Sequence, residues 1–452
     1  MWAGRRVRQK ENATGLVAFW FVCSISNYSE LGGLIWQVFC GLVSFWNWRT
    51  LATNFRTRTA RRGTRLVRGK TPQTGACAKS RCSLVSSQPN ANLDWSSLES
   101  RDFVMISQLE LENFKCFKSS KIDHLKRFNV IVGTSGSGKT SLLEALFLHG
   151  GSSPEIYFRL RGWRGFGGGV ALSGAKESYE GLFRDMFYNF DSNQALSITS
   201  VDSDGKRRSL RVSFKENKNY SLPLERLDEH PFLIDPIVFE WNVGGKDFTS
   251  TLELSDGRFK FEGSAPPASL VYYNAINLSS ADDAGAFSSL SRRYKAEILS
   301  KEIQEVFGDY GDISLELVGG AAVLHVSTGL AEKLPLVDLS GGIRKYVSIA
   351  LGILINSRGS VIVDEFESAF YYGHLSAVWE SVVRLCEISE TQLIVSTHSY
   401  EFLKAITPSL EKNNTFRKFQ LIRLQKDRVQ PKIKRIDGES YSAAIANDFE
   451  VR

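Results

Sequence analysis

Apolar residues in this chain come in short, dense runs cut by glycine-rich turns. Residues 128–132 (Phe-Asn-Val-Ile-Val) form one such run, of strand type, and residues 140–148 fit a helix that stops at Gly150 and Gly151. Residues 343–355 are a long apolar stretch compatible with a buried helix. Residues 361–363 and 392–395 are two further buried-strand patterns. The middle of the chain alternates instead. Residues 195–216 alternate around Asp204-Gly205 and residues 248–263 around Asp256-Gly257, which are hairpin signals. Residues 151–285 therefore read as mostly β, about 286–308 as helix, and 309–328 as strands again. The pattern predicts an α/β fold in which 151–330 is a mostly β insertion.

Four short motifs sit at the ends of the apolar runs. Residues 133–140 read Gly-Thr-Ser-Gly-Ser-Gly-Lys-Thr, a phosphate-binding loop between a strand and a helix. Its glycines, Gly133, Gly136 and Gly138, let backbone N–H groups converge on phosphate oxygens where a Cβ would block approach. Ser135, Ser137 and Ser141 complete the cradle. Lys139 supplies a point charge to the outer phosphates, and the Thr140 hydroxyl can join a Mg²⁺ shell. An ordinary Gly/Ser turn is the bland alternative, and the flanking strand and helix weigh against it.

Residues 361–365 (Val-Ile-Val-Asp-Glu) end a buried strand in two carboxylates. A rigid strand suits Asp364 for the metal, and Glu365 follows where it can polarise water. Taken alone, this is equally well a strand that ends in two acids. Residues 339–342 (Leu-Ser-Gly-Gly) precede the long apolar helix, so Ser340, Gly341 and Gly342 would make a second anion-binding terminus. His398 ends the strand at 392–395 and can contact a γ-phosphate or orient water. A lone histidine after a strand is usually structural; the ordered set of four motifs favours function.

In that order the motifs resemble an ABC-type ATPase of the SMC/RecF/OLD group, close to small bacterial ATPases of the AAA_15/AAA_21 type. Residues 106–117 (Ile-Ser-Gln-Leu-Glu-Leu-Glu-Asn-Phe-Lys-Cys-Phe) are similar to that group's first strands, and residues 435–452 to its tail. The resemblance spans 105–452. It implies a P-loop NTPase head with an added antiparallel β portion and a helical signature lobe, hydrolysing ATP with Mg²⁺. It implies Lys139 and Thr140 on phosphate and Mg²⁺, Asp364 as the metal carboxylate, Glu365 as general base and His398 as switch histidine. Ser340, Gly341 and Gly342 would act across a nucleotide-sandwich dimer, and Lys115 would touch the nucleotide. Three positions depart from the group: Ser135 replaces an Asn, Ile343 follows the signature in place of Gln or Glu, and Ser-Ala-Phe-Tyr-Tyr follows Glu367 in place of Asn-Gly-Leu-His. The glutamine that contacts the metal is not placed; Gln194 is available in an unpersuasive setting.

Charge changes the picture in one respect. The net charge is +7, yet residues 1–104 carry 15 Lys+Arg against 5 Asp+Glu, and the rest carries 41 against 44. The head is therefore not a basic DNA-binding domain overall. The leader holds six of nine tryptophans, and residues 12–48 carry a single charge, Glu30. It reads as a membrane hairpin, a targeting segment, or sequence upstream of a natural start at Met105, and the last is the expectation adopted. Among the six cysteines (23, 40, 77, 82, 116 and 386) no pair has zinc-ligand spacing with partner histidines, Cys77 and Cys82 being an isolated pair, and they read as reduced thiols of a cytoplasmic enzyme.

Between Lys139 and Ser340 there are no sustained heptads, so a compact head without an SMC-length coiled coil is expected. Residues 159–169 mix Arg, aromatics and five glycines. They read as a surface loop or dimer contact, with single-stranded nucleic acid as the sharper alternative. The basic hairpin at 417–435 reads as a solvated face.

The leading functional expectation is an ATP-driven component of DNA transactions or anti-phage defence. A homodimer would form through ATP; DNA and a separate nuclease or toxin chain are the partners left open. No appended Toprim nuclease domain is expected. The alternatives are an ATP-gated scaffold with slow hydrolysis, and a transporter ATPase anchored by the leader.

Overall fold

The structure is a computed structural model that describes residues 105–165, 176–215, 236–255, 258–274, 279–412 and 414–452. The leader, with its three readings, lies outside the described residues, as do residues 166–175, which include the last four of the glycine-rich stretch.

The described chain opens with β1 (Ile106–Phe114), β2 (Phe117–Ile122) and β3 (Phe128–Gly133), and α1 (Lys139–Gly150) follows the glycine loop. Two short helices come next, α2 (Glu155–Trp163) and α3 (Lys176–Phe183). An antiparallel run follows: β4 (Leu196–Asp202), β5 (Arg207–Phe214), β6 (Ile237–Val243), β7 (Lys246–Ser255) and β8 (Arg258–Glu262). Then come β9 (Leu270–Tyr273), α4 (Ser280–Arg292), α5 (Ala296–Phe307) and the hairpin β10 (Ile313–Val318) and β11 (Ala321–Val326), with the two-residue β12 (Leu334–Pro335). The last third is α6 (Gly341–Ile355), β13 (Ser360–Val363), α7 (Leu375–Ile388), β14 (Gln392–Ser396), α8 (Tyr400–Lys412), β15 (Phe419–Gln425), β16 (Lys432–Asp437) and α9 (Gly438–Ala446).

Two large sheets share the work. A seven-stranded antiparallel sheet runs β2-β1-β4-β5-β6-β7-β8, and a six-stranded sheet runs β16-β15-β3-β14-β13-β9. In the second, β15, β3, β14, β13 and β9 are parallel, and only β16 runs against them. Their near-continuous apolar sequences follow from burial on both faces. Alternation then assigns each face. Val130, Val361, Val363, Leu393 and Val395 enter the core packed by α6, α7 and α8, while Ile131, Ile362 and Ile394 enter the core shared with α1 and the antiparallel sheet. Helix α1 lies in that second core, so it is buried nearly all round and shows no apolar stripe.

The expected β insertion is partly corrected. Among the described residues, 155–165 and 176–190 are mostly α2, α3 and short 3-10 turns, before strands resume at Leu196. In α2, Tyr157 and Leu160, three apart, face the core together. Residues 159–163, read from sequence as loop, are the end of this helix. Their arginines are engaged locally: the Arg159 guanidinium lies over the Phe147 and Trp163 rings, and Arg161 pairs with Asp185 at 2.9 Å. The hairpins predicted around Asp204 and Asp256 are β4–β5 and β7–β8. The single helix expected at 286–308 is two, broken at Arg293–Lys295, where Tyr294 takes a left-handed φ of 57°. The basic hairpin is β15–β16, and three cations of the 417–435 segment have partners, Lys418 on Glu387, Lys432 on Asp427 and Arg435 on the Asp123 carbonyl. Among the described residues no helix is long and apolar enough to cross a membrane.

Candidate functional site

The order β3-β14-β13 puts the ends of three motif-bearing strands side by side. In a parallel sheet those ends share one edge, and ligands of such sheets sit outside it. Gly133 ends β3 at φ 151°, and a Cβ there would strike the Leu424 carbonyl of β15 and come within 2.6 Å of Ser137 Oγ. Gly138 caps α1 at φ 96°, where a Cβ would lie 2.7 Å from Cys116 Sγ. The loop is thus wedged between β15 and the β1–β2 turn, and both glycines are demanded by space as well as by φ. Thr134, Ser135 and Gly136 form its exposed rim, and Ser137 is buried beneath. Ser141 hydrogen-bonds the Cys116 thiol, whose pKa is raised chiefly by burial.

Lys139 is buried, and its Nζ donates to the carbonyls of Gly133 at 2.8 Å and Thr134 at 3.1 Å. Burial pulls its pKa below the usual lysine value, and the nearby carboxylates of Asp364, Glu365 and Glu367 partly offset this. Thr140 Oγ1 donates to Asp364 Oδ2 at 2.9 Å. The other oxygen, Asp364 Oδ1, accepts from the Ser396 hydroxyl at the end of β14. Ser396 Oγ in turn accepts the Glu365 backbone N–H at 2.8 Å. One serine therefore joins both acids that follow β13 to the neighbouring strand, because the register pairs Val363 with Val395 and places the next residues abreast. Glu365 takes φ 46°, an uncommon conformation for a side chain of this size.

Glu367 spans from this turn to the histidine loop. Its Oε1 accepts the backbone N–H of His398 at 2.9 Å and of Ser399 at 3.1 Å. The His398 carbonyl accepts from Arg452 at 3.2 Å, and its side chain is exposed. On α6, Ser340 is the N-cap, and Gly341 and Gly342 pack on Ala369, whose carbonyl would lie 2.8 Å from a Cβ at Gly342. Lys345, further along α6, donates to the Glu365 carbonyl at 2.6 Å. Burial lowers its pKa to about 8 against the pull of Glu367, Glu365 and Asp364.

Lys115 stands at φ 49° in the β1–β2 turn and pairs with the buried carboxylate of Glu144 on α1, which Arg164 also reaches. Gln194 is exposed; its backbone carbonyl accepts from Asn113 at 2.7 Å. A cavity of about 170 Å³ opens beside Phe147, Trp163 and Tyr272 toward the C-terminal end of α1, and no residue of the glycine loop or the acid pair lines it.

A family model described as "AAA domain, putative AbiEii toxin, Type IV TA system" matches residues 128–404, which include the loop, the signature, both acids and His398. The chain belongs to this AAA_21 family. An ATP/GTP phosphatase of Helicobacter pylori is 21% identical over 359 residues, covering 72% of this chain and 93% of that protein. An uncharacterized protein of Methanocaldococcus jannaschii, MJECL10, is 27% identical over 148 residues, 29% of this chain and 62% of its own. An SMC head solved with the C-winged helix domain of ScpA aligns over 74% of this chain and 98% of its own, at 14% identity and a TM-score of 0.42.

Three residues at this edge were given no role from sequence: Ser396, which opens the Ser-Thr-His-Ser motif at 396–399, Glu367 and Lys345. Their signals are modest. Ser396 precedes Thr397-His398, Glu367 follows the acid pair by two, and Lys345 is a charge within an apolar helix. Only the fold gives each of them a partner.

Proposed function

We propose that the chain hydrolyses ATP at the edge of the parallel sheet and that two copies close over two ATP molecules. The observation carrying this is the 2.9 Å contact between Thr140 Oγ1 and Asp364 Oδ2. It supports a metal site of two hard oxygens, one from the phosphate loop and one from the strand carrying the second acid, the donor type Mg²⁺ prefers. Bound there, Mg²⁺ would neutralise charge developing on the phosphates.

The chain's own residues do the rest. Backbone N–H groups of 134–138 and the start of α1 cradle the phosphates, with Ser135, Ser137 and Ser141 beside them. Lys139 exchanges its carbonyl partners for phosphate oxygens. Glu365 accepts a proton from water as the water oxygen bonds the γ-phosphorus and the bond to the β-phosphate oxygen breaks, yielding ADP and phosphate. His398, tethered through its backbone by Glu367, would contact the γ-phosphate, and Lys115 would touch the nucleotide. Ser340, Gly341 and Gly342 serve the nucleotide of the second copy.

For the process, the family description, with its putative toxin and Type IV TA system, supports a defence role over routine DNA repair. DNA-stimulated turnover would distinguish a DNA-transaction component from an ATP-gated scaffold. The decisive experiment is the solution mass of the full chain carrying Glu365→Gln, with and without ATP and Mg²⁺. A mass doubled by ATP and restored to the monomer value by Ser340→Arg supports the sandwich. A mass indifferent to ATP removes it.

A further inference from the structure

Helix α6 begins at the signature glycines and places Lys345 a little over one turn inside. The side chain is 2% exposed. Its ammonium donates to the Glu365 carbonyl at 2.6 Å, the Ser368 hydroxyl at 2.6 Å and the Ser368 carbonyl at 3.2 Å. An ammonium has three protons, and all three go to one turn. That turn, from Glu365 to Ser368, is closed by the Ser368 N–H on the Glu365 carbonyl at 2.9 Å.

The turn is unusual as well as gripped. Glu365 at φ 46° and Ala369 at φ 72° are non-glycine residues in the left-handed region. Such residues hold that conformation only where their surroundings impose it. Here α6 imposes it at two points. Lys345 holds the Glu365 peptide, and Gly342 lies directly against the Ala369 carbonyl. The Phe370 ring lies 5.9 Å from the same ammonium. A buried ammonium costs desolvation that an apolar side chain of equal length would not. Its use here is positional: it ties the peptide of the acid to the helix that starts at the signature.

We propose that Lys345 is a positioning residue for hydrolysis, fixing the Glu365 peptide to α6 so that displacement of the signature end of the helix reorients the Glu365 carboxylate. This rests on Glu365 acting as the base. Nucleotide engaging Ser340 across the dimer would then be felt at Glu365 through about one turn of rigid helix.

The test uses the full chain with Mg²⁺-ATP and a fluorescent ATP analogue. Lys345→Met should lower kcat about 10- to 100-fold, the scale of a misplaced reacting group, while Kd for the analogue holds within about two-fold. In a Glu365→Gln background the same substitution should cost less than about two-fold more in single-turnover hydrolysis, because both changes act on one group. Ser368→Ala, which keeps both carbonyl bonds, should lower kcat a few-fold in a chain that still folds, with melting lowered by the loss of one acceptor of the buried ammonium. Unchanged kcat in Lys345→Met beside a defective Glu365→Gln overturns the proposal alone, as does multiplication of the two losses. Should Lys345→Met not fold, unchanged kcat in Ser368→Ala overturns it. Wild-type hydrolysis by Glu365→Gln removes the base assignment and this proposal with it.

Discussion

Glu367 Oε1 accepts the backbone N–H of His398 at 2.9 Å, so a carboxylate two residues past the acid pair holds the start of the loop that follows β14. Ser399 donates to the same oxygen at 3.1 Å. With Glu367→Ala, the His398 N–H loses its acceptor, the Ser399 N–H keeps only Thr397 Oγ1 at 3.0 Å, and the loop loses its tie to the acid-bearing turn. Stability should fall by about 2 kcal/mol. The kcat for ATP should fall about ten-fold or more with Kd nearly unchanged, because positioning rather than binding is lost. Chemical denaturation and steady-state kinetics read both. Full kcat in this variant would detach His398 from turnover.

Gly138 has less freedom than its loop position suggests. At φ 96°, with Cys116 Sγ 2.7 Å from the site of a Cβ, an alanine must strain the backbone and displace a thiol that Ser141 already engages. Gly138→Ala should destabilise the chain by about 1–3 kcal/mol. It should also abolish the rise in melting temperature expected of the native chain with Mg²⁺-ATP. Gly205→Ala is the control. Its φ of 79° is also left-handed, but no atom lies within 4 Å of the new Cβ, so it should keep the full nucleotide effect.

Asp283 on α4 accepts from Ser348 on α6 at 2.6 Å, and burial raises its pKa from 3.8 to about 7. Asp282 adds to that rise, while Ser348 and Arg344 act against it; the buried Tyr273 also faces this carboxylate. Between those two pH values the folded chain keeps a proton that the unfolded chain releases. This group's contribution therefore falls as pH rises from about 4 to 7 and stays low above. Asp283→Asn has no such proton. Its stability relative to the native chain should rise across that window, by an amount on the order of 4 kcal/mol. Urea unfolding of both chains at pH 5, 6 and 8 measures the difference; a flat difference contradicts a neutral Asp283.

The sheet was legible where sequence is locally decisive. The runs at β3, β13 and β14 are too short and apolar for anything but interior strands, and Asp-Gly pairs marked β4–β5 and β7–β8. Helix α2 was missed because Arg159, Arg161, Gly162 and Trp163 read as loop composition. Their helical order comes from Tyr157 and Leu160 packing inward and from Arg161 meeting Asp185, 24 residues away. Lys345 was passed over because its partners, Glu365 and Ser368, lie 20 and 23 residues ahead in the chain.

The chain's residues determined by themselves that a strand would run into a glycine loop and a helix, since φ requirements and apolar runs are properties of adjacent positions. They also named Thr140 and Asp364 as a pair worth joining. That these two lie 2.9 Å apart across 224 residues, with Ser396 bridging Asp364 to the Glu365 peptide, was decided by the order β3-β14-β13. Parallel neighbours are chosen by how crossover helices pack, an outcome spread over the whole core and carried by no local pattern.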